Sequence, residues 1–155
     1  MVARRVVRIA DVAGFSPPGY EQAFSSRMLI DVESVGSSQL IVNHFVLKAG
    51  HSTYEGQHPN PFDEVYCVLQ GHAILTLGSD PRVTYLLEPG MVAFIPSETN
   101  HGLENTGPDD LVLLTMMPHQ PVPGANSVYD ARKTAWGTSF KLEESAEEVV
   151  GTIAD

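Results

Sequence analysis

The sequence is poor in cysteine, in basic residues and in long apolar runs, and each shortage excludes a class of protein. Cys67 is the only cysteine, which excludes an internal disulfide and a cysteine-based zinc site. The chain has 9 basic and 19 acidic residues, a net charge of −10, whereas nucleic acids and anionic membranes bind clustered Lys and Arg. No apolar run approaches the ~20 residues of a membrane helix. We therefore expect neither nucleic acid nor membrane as a partner.

The length of 155 residues corresponds to one domain with a real core. The N-terminal sequence MVARRVVRIADV contains two arginines but lacks the apolar block and the small-residue cleavage site of a signal peptide. We therefore expect a cytoplasmic protein.

Short β-rich runs separated by Gly and Pro fill most of the chain. RMLIDVESV and QLIVNHFVLKAG, joined by a small-residue turn, predict a hairpin. Further runs follow the loop at 49–63: EVYCVLQ, HAILTLG, VTYLLEPG, MVAFIP and DLVLLTMMP. Strands of this length without helical periodicity between them predict an all-β sandwich or barrel.

The sequence outside these runs predicts two appendages. Residues 1–24 contain several Gly and Pro and are typical of an N-terminal arm. The barrel is predicted to cover 25–118, and a C-terminal extension covers 119–155. Within the extension, residues 139–150 (SFKLEESAEEVV) predict a short amphipathic helix.

Two stretches carry side chains that can bind metal. In Gly50–Gly71, His58 and Glu64 come just before a β-branched and aromatic run, and Gly90–Asn105 delivers His101 in a similar way. Strand side chains alternate between faces and a turn supplies reach, so these groups can point into one cavity.

These stretches resemble the two motifs of the cupins, which are small double-stranded β-helix (jelly-roll) barrels. The second motif is Gly, five residues, Pro-x-Gly, two residues, His, three residues, Asn. It fits here at Gly90, Pro96, His101 and Asn105, with Glu98 in place of the inner Gly. The first motif fits at Glu64 and Gly71. The resemblance covers roughly residues 40–117 and implies an all-β cupin barrel.

The first motif departs from the family at its His-x-His, which can be aligned in two registers. Counting back from Glu64 places His58 at the first histidine and Asn60 at the second. Counting forward from Gly50 places Gly56 at the first histidine and His58 at the second. Both registers retain His58, Glu64 and His101, and both lose one family histidine.

The resemblance implies a divalent metal held by His58, Glu64 and His101, with Asn60 as a further candidate ligand. Two histidines and one carboxylate leave open positions on an octahedral ion, as in non-haem Fe(II) oxygenases. Fe(II) is therefore favoured, with Zn, Mn or Ni as alternatives. His51 and Tyr54 are close enough in sequence to substitute for the missing ligand.

His44 and Tyr66 are the candidate catalytic residues. His44, on a strand of alternating apolar residues, is either a catalytic base or a hydrogen-bonded barrel histidine. Tyr66 either packs in the barrel or lines the pocket of an apolar ligand. Cys67 is out of phase with Glu64 along its strand and should face away from the metal.

The predicted function is a metal-dependent enzyme that acts on a small molecule. The favoured form is a non-haem Fe(II) dioxygenase acting on an enolic, diketone or catecholic substrate. The alternatives are a non-redox cyclase, isomerase, decarboxylase or lyase, for example one like the polyketide cyclases, and a metal-free binding cupin. We also expect a homodimer, because an arm at 1–24 can cover a neighbour's sheet edge, as small cupins commonly do by exchanging N-terminal strands.

Overall fold

A computed structural model describes residues 6–16, 19–53, 55–56, 62–119 and 141–142. A 3-10 turn covers Ile9–Asp11 and one short helix, α1, covers Val32–Val35. The strands are β1 Phe15–Ser16, β2 Phe24–Ile30, β3 Leu40–Leu47, β4 Glu64–Gln70, β5 Ala73–Leu77, β6 Val83–Leu87, β7 Val92–Ile95, β8 His101–Glu104, β9 Leu111–Pro118 and β10 Lys141–Leu142.

The strands form two antiparallel sheets, which confirms the all-β prediction. The larger sheet has the order β10-β1-β2-β3-β9-β4-β7 and the smaller one the order β6-β5-β8. Isolated bridges Ser52↔Glu104 and Gly56↔His101 add a further backbone segment beside β8. No helix among the described residues is long and apolar enough to cross a membrane.

The core lies between the two sheets and follows the period of two along each strand. On β9, Leu111, Leu113, Thr115 and Met117 are buried and alternate with half-buried neighbours. β4 repeats the pattern with Glu64, Tyr66 and Val68 buried. Because successive side chains of a strand point to opposite faces, each of these sets shares the inner face of its strand. Polar residues in these sets therefore lie inside the barrel.

The connection between β2 and β3 differs from the predicted hairpin turn. VESV, predicted as the end of a strand, forms α1 after the N-cap residue Asp31. A capping box starts this helix: Asp31 Oδ1 accepts from the Ser34 amide at 2.7 Å, and Ser34 Oγ accepts from the Asp31 amide at 2.9 Å. Gly36 ends the helix in the left-handed region with φ 74°. Local capping outweighs the β-branched composition of this segment.

Residues 15–16 and 141–142 pair at one edge of the larger sheet. Phe15 in β1 is 1% exposed and packs with Met28, Ile41 and Met117 of the same chain. Residues 141–142, inside the segment predicted as a helix, instead form a strand paired with β1, and the remainder of 139–150 lies outside the described residues. The homodimer formed by arm exchange stays a prediction, although this part of the arm contributes to its own core.

Two motif residues hold the backbone. Gly71 has φ 80°, and a Cβ there would lie 2.5 Å from the Asp110 carbonyl oxygen, so only glycine fits this turn. Asn105 is 1% exposed; its Nδ2 donates to the carbonyls of Leu47 and Asp109, both at 2.9 Å, and its Oδ1 accepts from the Gly107 amide at 3.0 Å. Asn105 thus ties the end of β3 to the loop before β9.

Replacing Asn105 should destabilise the fold. Asn105→Ala removes three hydrogen bonds and leaves two carbonyls and one amide to find new partners, so we expect a loss of about 2–4 kcal/mol in the free energy of unfolding. Urea denaturation measures it. Asn100→Ala, at a less buried position, is the control, and a loss for Asn105→Ala no larger than that of the control would contradict this role.

Candidate metal centre

Glu64 is the first residue of β4, and a hydrogen bond made by the preceding residue holds this end of the strand. The Asp63 carboxylate accepts from the Ser97 amide at 2.9 Å, which joins the start of β4 to the loop that leads to β8. Glu64 itself lies opposite Ile95 of β7 and is 4% exposed. A carboxylate is therefore fixed inside the barrel, close to the segment that carries His101.

His101 opens β8 and has a defined tautomer. Its Nδ1 lies 2.9 Å from the Thr99 carbonyl oxygen. A carbonyl only accepts hydrogen bonds, so Nδ1 carries the proton, and the neutral form of the ring has its lone pair on Nε2. A backbone carbonyl in this position is the usual orienting partner of a metal-binding histidine.

The lone pair of His101 faces the carboxylate of Glu64. Nε2 and Glu64 Oε2 are 3.7 Å apart, and the two side chains are 10% and 5% exposed. Two ligands bonded at about 2.1 Å and separated by about 90–110° would be about 3.0–3.4 Å apart. The pair therefore fits two neighbouring positions around one ion after a small closing movement.

Tyr66 lies beside the pair. It is 7% exposed, follows Glu64 by two residues on the inner face of β4, and its ring meets the His101 ring edge-on with centroids 6.3 Å apart. Of the two predicted catalytic residues, Tyr66 is the one that the structure brings to His101. Its ring shields the imidazole from water.

Gly56 lies directly opposite His101. Each of the two residues donates its amide to the other's carbonyl, at 3.1 and 3.0 Å. Residues directly opposite in an antiparallel pair present their side chains to the same face. A side chain at position 56 would therefore point where the His101 ring points, which favours the register with Gly56 at the first histidine position.

The remaining predicted ligands, His58 and Asn60, lie outside the described residues. Within the described ranges there is no group of three His, Cys, Asp or Glu that could hold a metal ion. The structure thus supplies the pair Glu64 and His101, and the other predicted ligands remain predictions.

His44 is not brought to the pair. It follows the buried, inward-facing Asn43 on β3, so its side chain belongs to the outer face, opposite Arg27 of β2 and Leu114 of β9. Cys67 of β4 lies opposite Leu114 of β9 and shares this outer face, as predicted from its phase with Glu64. Burial, together with the positive charge of Arg27, holds the pKa of His44 below its usual value.

An apolar cleft of about 370 Å³ opens between β6 and β7, the edge strands of the two sheets. Its lining contains no charged side chain. Leu77, which lies opposite His101, and Ala93, which lies opposite Tyr66, are part of this lining. The cleft therefore adjoins the Glu64–His101 pair and has the size and polarity of a small-molecule site.

Asn43 and Thr115 are among the polar residues of the interior that sequence reasoning missed. Asn43 and Thr115 are 3% and 5% exposed and lie opposite each other on β3 and β9. Each interrupts an otherwise apolar alternation, NHFVL and LLTMM, at an inward position. A polar residue within an apolar strand was the signal in the sequence. It indicates a polar group inside the barrel only when the inward-facing positions of that strand are known.

Comparison with known proteins identifies the barrel. A family model described as a cupin domain matches residues 43–117. Residues 43–117 form a cupin domain. Comparison with curated protein sequences found no match.

Solved structures share this cupin fold. The polyketide cyclase RemF from Streptomyces resistomycificus has 24% identity and a TM-score of 0.65, with 88% of this chain and 95% of that chain covered. A predicted oxalate decarboxylase from Thermotoga maritima has 22% identity and a TM-score of 0.60, with 73% and 97% covered. Bacillus subtilis oxalate decarboxylase, described with Mn(II) centres, has 20% identity and a TM-score of 0.58, with 66% and 27% covered.

Glu98 occupies the position at which the second cupin motif has glycine, and its backbone conformation shows why glycine is favoured there. It has φ 61°, the one positive φ of a non-glycine residue in the described part of the chain. This left-handed conformation costs a residue with a Cβ about 1–2 kcal/mol. The turn between Pro96 and His101 is therefore strained in this chain.

Glu98→Gly should relieve that strain. Glycine removes the steric cost but loses about 0.5–1 kcal/mol more backbone entropy on folding, so we expect a net gain of about 0.5–1 kcal/mol in the free energy of unfolding. Chemical denaturation of both proteins measures it. Glu88→Gly, at another exposed glutamate whose φ is not positive, should destabilise; equal effects of the two substitutions would refute the explanation.

Proposed function

We propose that this cupin domain binds a divalent metal ion through His58, Glu64 and His101 and is a metal-dependent enzyme that acts on an oxygen-bearing small molecule. The observation that carries the proposal is the buried pair of Glu64 Oε2 and His101 Nε2, 3.7 Å apart, with the imidazole proton held on the opposite nitrogen. Two electron donors that face each other inside a barrel are stabilised by a cation between them.

The favoured activity is that of a non-haem Fe(II) dioxygenase on an enolic, diketone or catecholic substrate. Support comes from the position opposite His101, where Gly56 offers no side chain to bind metal. A centre of two histidines and one carboxylate leaves positions for both dioxygen and substrate. The charge-free lining of the adjoining cleft suits the apolar body of such a substrate.

When bound, Fe(II) would supply electrons and open coordination positions to dioxygen and substrate. The protein itself orients the ligand side chains and excludes water from them. The Thr99 carbonyl keeps the Nδ1 proton of His101 in place, so Nε2 is directed toward Glu64. Tyr66 and Ile95, 7% and 1% exposed, close the interior around Glu64. Leu77 and Ala93 guide an apolar substrate from the cleft.

A non-redox cyclase is the second candidate. The likeness to the polyketide cyclase RemF, which spans 88% of this chain, favours it. Oxygen consumption distinguishes the two activities: an Fe(II)-loaded dioxygenase consumes dioxygen with a catechol or a 1,3-diketone, whereas a cyclase converts its substrate equally under nitrogen.

The metal-binding pair can be tested by substitution. We expect His101→Ala to abolish Mn(II), Zn(II) and Fe(II) binding, and Glu64→Gln to lower affinity at least 10- to 100-fold, because the carboxylate is the charged ligand. Isothermal titration, performed without oxygen for Fe(II), measures both affinities.

The matched controls make the same changes on the surface. His72→Ala and Glu104→Gln alter an exposed histidine and an exposed glutamate, and both should bind metal as the unmodified protein does. Full metal affinity in both His101→Ala and Glu64→Gln would overturn the proposed centre.

Position 56 tests the register of the first motif. Because it faces the same way as His101, Gly56→His should add a ligand and raise metal affinity about 10-fold or more, while Asn60→Ala should change it little. The same titrations provide the measurement. If Asn60→Ala weakens binding strongly and Gly56→His has no effect, Asn60 holds the missing histidine's place instead.

A further inference from the structure

Asn43, Thr115 and Tyr66 form one polar row inside the barrel. Thr115 on β9 lies opposite Asn43 on β3 and, on its other side, opposite Tyr66 on β4. All three are buried on the inner faces of their strands, with 3%, 5% and 7% exposure. Neighbouring strands are about 4.8 Å apart, so Asn43 lies about 10 Å from Tyr66, and Tyr66 is the member of the row next to His101.

Two atoms in this row are buried without a hydrogen-bond partner. They are Asn43 Oδ1 and Thr115 Oγ1. Asn43 Nδ2 donates to Ser26 Oγ at 3.4 Å, and turning the amide over would merely leave Nδ2 unpartnered in place of Oδ1. Buried polar atoms in native proteins nearly always have a partner. Two such atoms on directly opposite residues therefore indicate a shared partner.

The chemistry of the two atoms defines that partner. With Asn43 Oδ1 at this position the partner must donate a hydrogen, and with the amide turned over it must accept one from Nδ2; the threonine hydroxyl both donates and accepts. A single hydroxyl that donates to Asn43 Oδ1 and accepts from Thr115 Oγ1 satisfies both atoms. The inner-face neighbours two residues away on the same strands are apolar: Ile41, Phe45, Leu113 and Met117.

We propose that Asn43 and Thr115 form a subsite that binds a neutral hydroxyl group on the apolar body of the substrate. The assignment to the substrate rests on the proposed function, because the polar row ends at Tyr66 beside the Glu64–His101 pair. The substrate then carries one oxygen-bearing end for the metal centre and a second, uncharged hydroxyl, which Asn43 and Thr115 position.

The test uses phenol and fluorobenzene as probes of nearly equal size, of which only phenol can donate a hydrogen bond. Binding is measured in metal-free protein with a chelator present, by NMR titration that follows the side-chain amide of Asn43. We expect phenol to bind about 3- to 10-fold more tightly than fluorobenzene, as one added hydrogen bond implies, and to shift the Asn43 amide resonances.

Isosteric apolar variants should remove this preference. Asn43→Leu and Thr115→Val should bind the two probes equally. Thr115→Val should not unfold at lower urea concentration than the unmodified protein, because it removes an unpartnered atom, whereas Asn43→Leu also removes the donation to Ser26 Oγ. Thr76→Val is the matched control. Thr76 is 7% exposed on β5 but alternates with the inward-facing Leu75 and Leu77, and its variant should keep the preference for phenol.

Equal binding of both probes to the unmodified protein, or no binding, would overturn the subsite and favour an internal water as the partner. A preference for phenol that survives in both Asn43→Leu and Thr115→Val would also overturn it. Since the probes are studied without metal, a failed metal titration refutes the proposed function and the assignment to its substrate but leaves the hydroxyl-binding subsite in place, whereas a failed probe titration refutes this subsite alone.

Discussion

The candidate site depends on antiparallel pairing at two places in the barrel. β4 pairs with β7 and β9, which fixes the direction of Glu64 and Tyr66, and β8 pairs with β5 and with Gly56, which fixes the direction of His101. Each pairing has a definite register, and a slip of one residue would turn every side chain of that strand to the opposite face. The 3.7 Å approach of carboxylate and imidazole is therefore a consequence of sheet register rather than of local sequence.

The sequence was sufficient to predict the parts of the site that follow from spacing. The positions of Glu64 and His101 relative to Gly71, Pro96 and Asn105 indicated an all-β barrel and an interior pair, and the family match and the fold agree with the barrel. The outward position of Cys67 followed from strand alternation in the same way. Spacing alone did not predict the face of His44. Its neighbour Asn43 faces inward, and only the pairing of β3 with β2 and β9 shows that His44 faces outward.

Other features depended on interactions that a linear pattern does not contain. The capping box of Asp31 and Ser34 turned a β-rich segment into α1. Pairing with Phe15–Ser16 made a strand of Lys141–Leu142 inside a predicted helix. The polar atoms of Asn43 and Thr115 indicate a binding position only because both are buried and opposite each other. A threonine or an asparagine in a strand indicates no such position by itself.

The apolar edge strands beside the cleft also affect how the protein behaves in solution. Val92 and Phe94 on β7 and Leu86 on β6 are 66%, 57% and 58% exposed, and each strand forms one edge of its sheet within the described part of the fold. Exposed apolar edges favour association between copies, whereas a net charge of −10 keeps copies apart. Salt screens that repulsion and, when kosmotropic, strengthens apolar contact, so added salt shifts the balance toward association.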